Sequence, residues 1–380
     1  MKVISLFYKN NYGYGFSATN SKVRFTQMGL AKSGARCTIH NGIGGIKGIN
    51  SEQTILIDDI PVTTYTCKGH WLVSWIFNLG KFIKYLKKEY DSDGKNYIII
   101  PGGVGLNGNI IYYIISKCLK YKLVTVSHEW GPTVSSVKTY KKPIVLLHTH
   151  LFGYFTDAIL PISEYIIEKI KHFKKPYFKL PILADFDNLP AYKEFDTHNF
   201  VYCASVYYKR IIMLIIEAYK IYRNNGGRIG LTLILNGPKD RIDEIQNEID
   251  KLSLESSITI KSRLSYEDLY NEYYNAAALI IPLDPNCEQD KARFSQKIAE
   301  YLSSKRPIIT NNVGEVAHYF TEEEVIKCEY NPTDFANTFS WIEKHPEESN
   351  TIGSNGYKKG VEEFSYVTIG RKLLSFLNTL

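Results

Sequence analysis

Short apolar runs alternate with amphipathic helical stretches along the whole chain, and that alternation restricts the fold to α/β architecture with parallel sheets. One series of predicted strands reads "KVISLF", "RCTIH", "YIIIP", "LVTVSH" and "AILPIS", with a helix expected over residues 17–33 after the first. A second series reads "NFVYCA", "LTLILN", "SITIK", "ALIIPL" and "RPIIT". Its helices are expected around residues 211–224, 240–252, 266–275 and 296–304. Between the two series, "KKPYFKLPILADFDNLPAYKEF" is punctuated by proline and has no steady period, which marks a linker. A chain of 380 residues has room for two such domains. Ligands of open α/β sheets bind at the carboxyl ends of the strands, so the chemistry is expected in a cleft there.

Composition removes several classes. No run approaches the ~18 apolar residues of a membrane span, and residues 1–10 hold too short an apolar core for a secretory signal. The six cysteines are scattered without a C-x-x-C pair, which favours thiols in a reducing cytoplasm over disulfides or zinc. A net charge of +7 suits anionic small molecules or an acidic membrane surface, and no dense basic stripe marks a nucleic-acid binder.

Several local patterns compete for a function. "PGGVGLNG" (101–108) places Gly103, Gly105 and Gly108 as G-x-G-x-x-G, with Glu129 about 21 residues further on, a dinucleotide-binding fingerprint. That fingerprint belongs to the first βαβ unit of a sheet, whereas here at least two strands precede it, so a tight turn near a ligand is the simpler assignment. "DSD" (91–93) and "DFD" (185–187) imitate a D-x-D metal site, but one lies in a Lys-flanked turn and the other in the linker. His148 and His150 form H-x-H without a third ligand in view. "HWLVSWIFNLGKFIKYLKK" (70–88) interleaves Trp and Phe with Lys81, Lys84, Lys87 and Lys88, which fits either a helix resting on an anionic bilayer or a core-packed helix with a solvated lysine face.

The most informative segment is "ARFSQKIAEYLSSKRPIITNNVGE" (292–315). Ser295 is the expected N-cap of a short helix whose buried stripe is Ile298, Tyr301 and Leu302. The amides of Gln296, Lys297 and Ile298 are then expected free for phosphate. Glu300 follows roughly 7 Å along the axis, the offset from a nucleotide diphosphate to its ribose.

This segment resembles the family-4 retaining glycosyltransferases of the GT-B fold, in the subgroup carrying F-P-x-K-x-x-E-Y-L-x-x-G-K-P-V-I. The matching residues are Phe294, Lys297, Glu300, Tyr301, Leu302, Pro307 and, beyond, Gly314. "VYCASVYYKRIIMLIIEAY" (201–219) is similar to the opening of that family's C-terminal domain, with Ala204 for its glycine, Ser205 for the arginine of distant members, Lys209 for the lysine on the donor diphosphate, and Arg210 beside it. A preorganised cation of this kind is worth about 2.7–4 kcal/mol of transition-state stabilisation.

The resemblance implies two Rossmann-like domains facing a cleft: residues 1–175 for the acceptor, a linker at 176–198, residues 199–355 for the nucleotide-sugar donor, and a helix over 356–380 crossing back. It implies His128 or Glu129 of "SHEW" at the donor sugar, Asn236 and Gly237 of "LTLILNGP" with Arg263 and Leu264 beside the base, and Phe294, Ser295 and Gln296 along the donor. Gly13 and Gly15 supply the first glycine loop, while Gly103 and Gly105 turn near the acceptor. The activity implied is metal-independent transfer of a sugar from UDP- or GDP-sugar to a saccharide or lipid-linked saccharide, in surface polysaccharide synthesis, at the cytoplasmic side of a bacterial membrane. No cofactor is implied beyond the co-substrate. Three positions depart from the pattern: Ala292 replaces a glutamate that touches the transferred sugar, Lys305 and Arg306 fill the place of Gly-Lys, and Ile211 replaces a glycine. Ala292 keeps a non-catalytic sugar-nucleotide binder in play, and the glycine loop leaves a nicotinamide oxidoreductase as a more remote alternative.

Overall fold

The computed structural model describes residues 1–7, 18–46, 51–67, 69–92, 94–134, 139–195 and 198–380. The chain forms two compact units: Met1–Ala184 with Ala292–Phe294 and Phe364–Leu380, and Asp185–Lys291 with Ser295–Glu363.

In the first unit the strands are β1 (Lys2–Phe7), β2 (Arg36–Ile46), β3 (Gln53–Ile57), β4 (Ile60–Thr66), β5 (Asn96–Pro101), β6 (Lys122–Ser127) and β7 (Ala158–Pro161). The helices are α1 (Ala18–Lys32), α2 (Trp71–Glu89), α3 (Gly105–Cys118), α4 (Lys142–Leu151) and α5 (Glu164–Ile170). The sheet order is β3-β4-β2-β1-β5-β6-β7, with every pair parallel except β3 against β4. The order reverses between β1 and β5, the switch point where parallel sheets open a crevice. Central strands such as "NYIIIP" read as continuous apolar runs because both faces are covered. Val3, Phe7 and Ile99 pack with α1 on one face, while Ile4, Leu6, Ile98 and Ile100 pack with Phe82 and Leu86 of α2 and Tyr112 of α3 on the other.

The antiparallel hairpin β3–β4 has no counterpart in the expected strand series. Its turn residues Asp58 and Asp59 take left-handed dihedrals (φ 51° and 62°), the two-residue primed turn that matches strand twist. Edge strand β3 is mostly exposed, so burial leaves little apolar alternation to read.

The second unit has β8 (Phe200–Ser205), β9 (Leu231–Asn236), β10 (Ile258–Lys261), β11 (Ala278–Ile281), β12 (Ile308–Thr310) and β13 (Ile326–Lys327). Its helices are α6 (Lys209–Asn224), α7 (Lys239–Lys251), α8 (Tyr266–Tyr274), α9 (Glu288–Ala292), α10 (Gln296–Ser303), α11 (Glu315–Tyr319), α12 (Pro332–Lys344) and α13 (Pro346–Phe364). The sheet is wholly parallel in the order β10-β9-β8-β11-β12-β13, with its switch point between β8 and β11.

The stretch expected as a linker begins by pairing with the first unit: Ile159 donates to the Pro176 carbonyl, Phe178 to Ile159 and Leu180 to Pro161, laying residues 176–180 along β7. Pro176 and Pro181 lack the N–H that regular pairing needs, which is why no strand period shows. The C-terminal helix expected over 356–380 is instead two. Helix α13 ends at Phe364 and α14 (Tyr366–Thr379) begins after Ser365, whose extended backbone lets Phe364 accept from Ala184 and Tyr366 donate back to it. Helix α14 buries Tyr366, Ile369, Leu373 and Leu377 in the α1 side of the first unit's core, each worth about 1.5–3 kcal/mol. Gly29 of α1 and Gly370 of α14 meet backbone to backbone: a Cβ on Gly29 would lie 2.2 Å from the Tyr366 carbonyl oxygen.

Candidate functional site

In the second unit the site-forming residues gather at the carboxyl ends of β8 and β11, its switch point. Strand β8 ends at Ser205, a single 3-10 turn follows, and Lys209 and Arg210 open α6. The loop after β11 carries Asp284, whose side chain is 7% exposed and pairs with the Arg210 guanidinium. Asp284 is itself fixed: one carboxylate oxygen accepts from the Asn286 amide at 2.8 Å, and its own amide donates to Asp290 at 3.0 Å. The Tyr330 hydroxyl is buried without a partner and within electrostatic reach of Arg210, Asp284 and Asp290. Burial pushes that phenol's pKa up, so it stays a neutral donor. Lys209 reaches the other way, to Glu244 of α7 at 3.3 Å, a solvent-facing pair of the kind worth little.

Helix α10 supplies the second group. Burial raises the Glu300 carboxyl above the usual range, partly offset by Lys297 one turn earlier. Its surroundings are Cys203 of β8 and the rings of Tyr270 and Tyr273 of α8, with the Tyr273 hydroxyl buried beside the Cys203 thiol. A carboxylate in such an apolar wall gains strongly from hydroxyl donors. Cys203 also lies within electrostatic reach of Lys297, so α10 and the start of α6 both address the end of β8.

The start of α10 differs from expectation. Ser295 occupies the N-cap position, but its hydroxyl makes no capping bond. The Ile298 amide donates to the Ser295 carbonyl at 3.0 Å, so this tightened first turn consumes one of the three amides expected free. Gln296 is buried, and Phe294 is a core residue with its ring edge-on to Phe364 at 5.5 Å. Lys305, where the resembling motif has glycine, holds a left-handed φ of 62°, its ammonium 4.6 Å from the Tyr357 ring. The motif's backbone shape thus persists without its glycine. Gly314 (φ 55°) does need to be glycine, since a Cβ would stand 2.9 Å from the Asp290 carbonyl.

Asn236 ends β9 and Gly237 follows it, and a Cβ on Gly237 would overlap Val206 at 2.0 Å, so this turn presses against the one leading into α6. Arg263 (exposed, φ 54°) and Leu264 follow β10.

In the first unit, His128 and Glu129 directly follow β6, and His128 shares a small cavity with Ser5, Lys22, Gln27 and Pro101 at the β1–β5 switch point. Its volume of about 20 Å³ is room for one water. The His128 Nδ1 and Gln27 Oε1 atoms are buried there without partners, while Gln27 donates to Ser5 at 2.6 Å. Burial holds His128 well below its ordinary pKa, and the Lys22 charge adds to that, so it is neutral at pH 7. Burial also lowers Lys22 to about 8, against the opposing pull of Glu129 and with help from Arg293. Lys22, Arg293, Asp284 and Tyr330 were not singled out in the sequence; of these only Arg293, between two motif positions, carried a signal. Ala292 is buried, and its carbonyl accepts from the Ser163 hydroxyl at 2.6 Å.

Gly103 lies in a 3-10 turn after β5, and Gly105 opens α3 at φ 74°. Gly13 and Gly15 lie outside the described residues. His148 bonds Asn109 at 3.1 Å and His150 the Leu146 carbonyl at 3.0 Å, so the H-x-H pair serves two separate contacts. Asp185 closes an Asx turn onto the amides of Asp187 and Asn188. Asp91 pairs with Arg36, and Asp93 lies outside the described residues.

Residues 190–359 match the family model described as Glycosyl transferases group 1. No curated protein sequence matches the chain. Among solved structures, the sucrose-phosphate synthase of Thermosynechococcus elongatus superimposes with a TM-score of 0.72 at 13% identity, covering 100% of this chain and 99% of that one. Anabaena HepE in complex with UDP-glucose gives a TM-score of 0.69 at 14% identity, with 100% of both chains covered. A glycosyltransferase from Rickettsia africae gives 0.70 at 14% identity, covering 100% of this chain and 98% of that one. The two parallel-sheet units share the GT-B fold of these structures, and the match to the group 1 glycosyltransferase model is confined to residues 190–359.

Proposed function

We propose that this chain is a retaining glycosyltransferase moving a sugar from a nucleotide diphosphate donor to a hydroxyl of a saccharide or lipid-linked saccharide acceptor. The observation that carries this is the grouping of Arg210, held by buried Asp284, and the desolvated Glu300 about the end of β8. In this proposal Glu300 accepts hydrogen bonds from the ribose hydroxyls, and Lys209, Arg210 and the amides of Gln296 and Lys297 take the diphosphate. The bond from the anomeric carbon to the phosphate oxygen breaks with its electron pair leaving on the diphosphate, through an oxocarbenium-like state. The acceptor oxygen attacks the same face, and its proton passes to the departing phosphate oxygen. Retention then needs no protein nucleophile, and side-chain cations fill the role of a metal. That HepE was solved with UDP-glucose and UDP supports a UDP-sugar donor, with GDP-sugar the other candidate. Surface polysaccharide assembly on the cytoplasmic side of a bacterial membrane is the setting we propose.

Thermal shift with UDP, GDP and NAD, then mass spectrometry of products from a donor and acceptor panel, tests the proposal. Lys209→Ala should chiefly slow transfer, and normal rates in both Lys209→Ala and Glu300→Ala would refute it. Ala292 favours one second reading, a sugar-nucleotide binder without transfer. Calorimetric binding of UDP-sugar with no product on any acceptor would select it.

A further inference from the structure

Over its first two turns helix α2 exposes most of its large apolar side chains, Trp75 excepted. Among residues 71–78 its fully buried positions are polar: Ser74 (6% exposed) and Asn78 (4%), the latter donating to the Ile43 and Thr66 carbonyls. Trp71 (60%), Val73 (59%), Ile76 (59%) and Phe77 (71%) face solvent together with Leu72. Trp75 and Leu79 pack partly buried against the core, and from Phe82 onward the helix buries apolar side chains fully. Folding alone favours the opposite pattern, because each exposed large side chain forgoes its burial energy. Helix α4, which packs against α3 in the same unit, repeats the inversion: it buries Thr149 and exposes Ile144 (68%), Leu146 and Leu147, with Tyr140 exposed just before it.

The charges on these two helices are almost all of one sign, although Lys81 is paired with Glu52 at 2.6 Å. Lys81, Lys84, Lys87 and Lys88 are exposed on α2, and Lys141 and Lys142 at the start of α4. Against them α2 has a single acid, Glu89, and residues 139–151 have none. Among the described residues no helix is long and apolar enough to cross a membrane. Apolar side chains at headgroup depth, flanked by lysines and lacking acids, suit the surface of an anionic bilayer. A second copy of the chain docking symmetrically would set the same lysines against one another. Because α2 begins directly after the carboxyl end of β4, its apolar end lies at the sheet edge that also carries Pro101 and His128.

We propose that the outer faces of α2 and α4 dock the first unit onto an anionic membrane, which would place an acceptor carried on a lipid at the edge of the sheet holding His128. The docking itself does not depend on the transfer reaction. Co-sedimentation of the full chain with phosphatidylcholine vesicles, with and without phosphatidylglycerol, tests it. The expected result is binding to the anionic vesicles that weakens with salt. Trp71→Ser with Phe77→Ser should lower the partition about tenfold or more, and Lys84→Glu with Lys88→Glu should abolish the preference for phosphatidylglycerol. Both variants change exposed positions, and an unaltered thermal shift with UDP, where the parent chain shows one, together with an unaltered circular dichroism spectrum, establishes that they fold. No sedimentation with anionic vesicles, or equal sedimentation of the Trp71/Phe77 variant, would overturn the proposal. A concentration-dependent dimer abolished by the same apolar substitutions would instead assign this face to a second copy.

Discussion

Glu300→Gln separates stability from function with opposite signs. The carboxyl sits among Tyr270, Tyr273 and Cys203, and burial outweighs Lys297 in setting its raised pKa, so the ligand-free protein bears a net cost for its charge. A group whose folded pKa is raised adds stability below its unfolded value and loses it as pH climbs through the folded pKa. Glutamine keeps the shape and removes the charge, so the variant's melting temperature near neutral pH should rise and its pH dependence between the two pKa values should flatten. Donor binding should move the other way. Two ribose hydroxyls on a carboxylate are charge-assisted bonds, and losing that assistance costs about 1.5–3 kcal/mol, or about 10- to 150-fold in UDP affinity. Acid should weaken UDP binding in the parent protein, because the raised pKa means that below it the ligand must displace a proton, and should leave the variant flat. Calorimetry across mildly acidic to neutral pH reads both. UDP affinity within threefold of the parent, or an unchanged acid dependence, would refute the placement of ribose at Glu300.

Other consequences follow from the same geometry. Asp284→Asn should leave the fold intact but free Arg210, slowing transfer by about tenfold, short of the 10²–10³ lost when a preorganised donor is deleted; Asp284→Glu should recover part of the rate, and full activity of the asparagine variant would dissociate Arg210 from Asp284. Lys22 should titrate near pH 8 when followed by NMR of the dimethylated amine. Because its folded pKa lies below the unfolded value, its charge destabilises near pH 7 and stability should rise with pH above 8, so Lys22→Met should raise the melting temperature at neutral pH and remove that dependence. Gly370→Ala gains about 1 kcal/mol of helix propensity but drives a methyl into the Gly29 backbone; overpacking of about 1–3 kcal/mol wins, and denaturant melts should show net loss with earlier proteolysis at the C-terminus. A stabilised Gly370→Ala protein would mean that α1 and α14 do not meet at these glycines.

Much of the secondary structure was legible because parallel strands covered on both faces, such as "YIIIP" and "LTLILN", need runs of apolar residues that a reader can count. Helices α6 and α10 were legible by stripe, and the segments around Lys209 and Glu300 by residue order. Hairpin β3–β4 was not, since an exposed edge strand has little burial to imprint a period; "DDI" between β-branched residues was the available turn signal.

The sequence by itself determined the parallel α/β class and the helices that open at Lys209 and carry Glu300, because strand and helix periods are written in neighbouring residues. Tertiary structure alone decided that Asp284 holds Arg210, that Lys22, His128 and Arg293 share one electrostatic environment, that Ala292–Phe294 belong with the first unit, and that α2 turns its apolar residues outward. Those outcomes depend on which surfaces the rest of the chain covers, and burial is a property of the assembled core that no local spacing records.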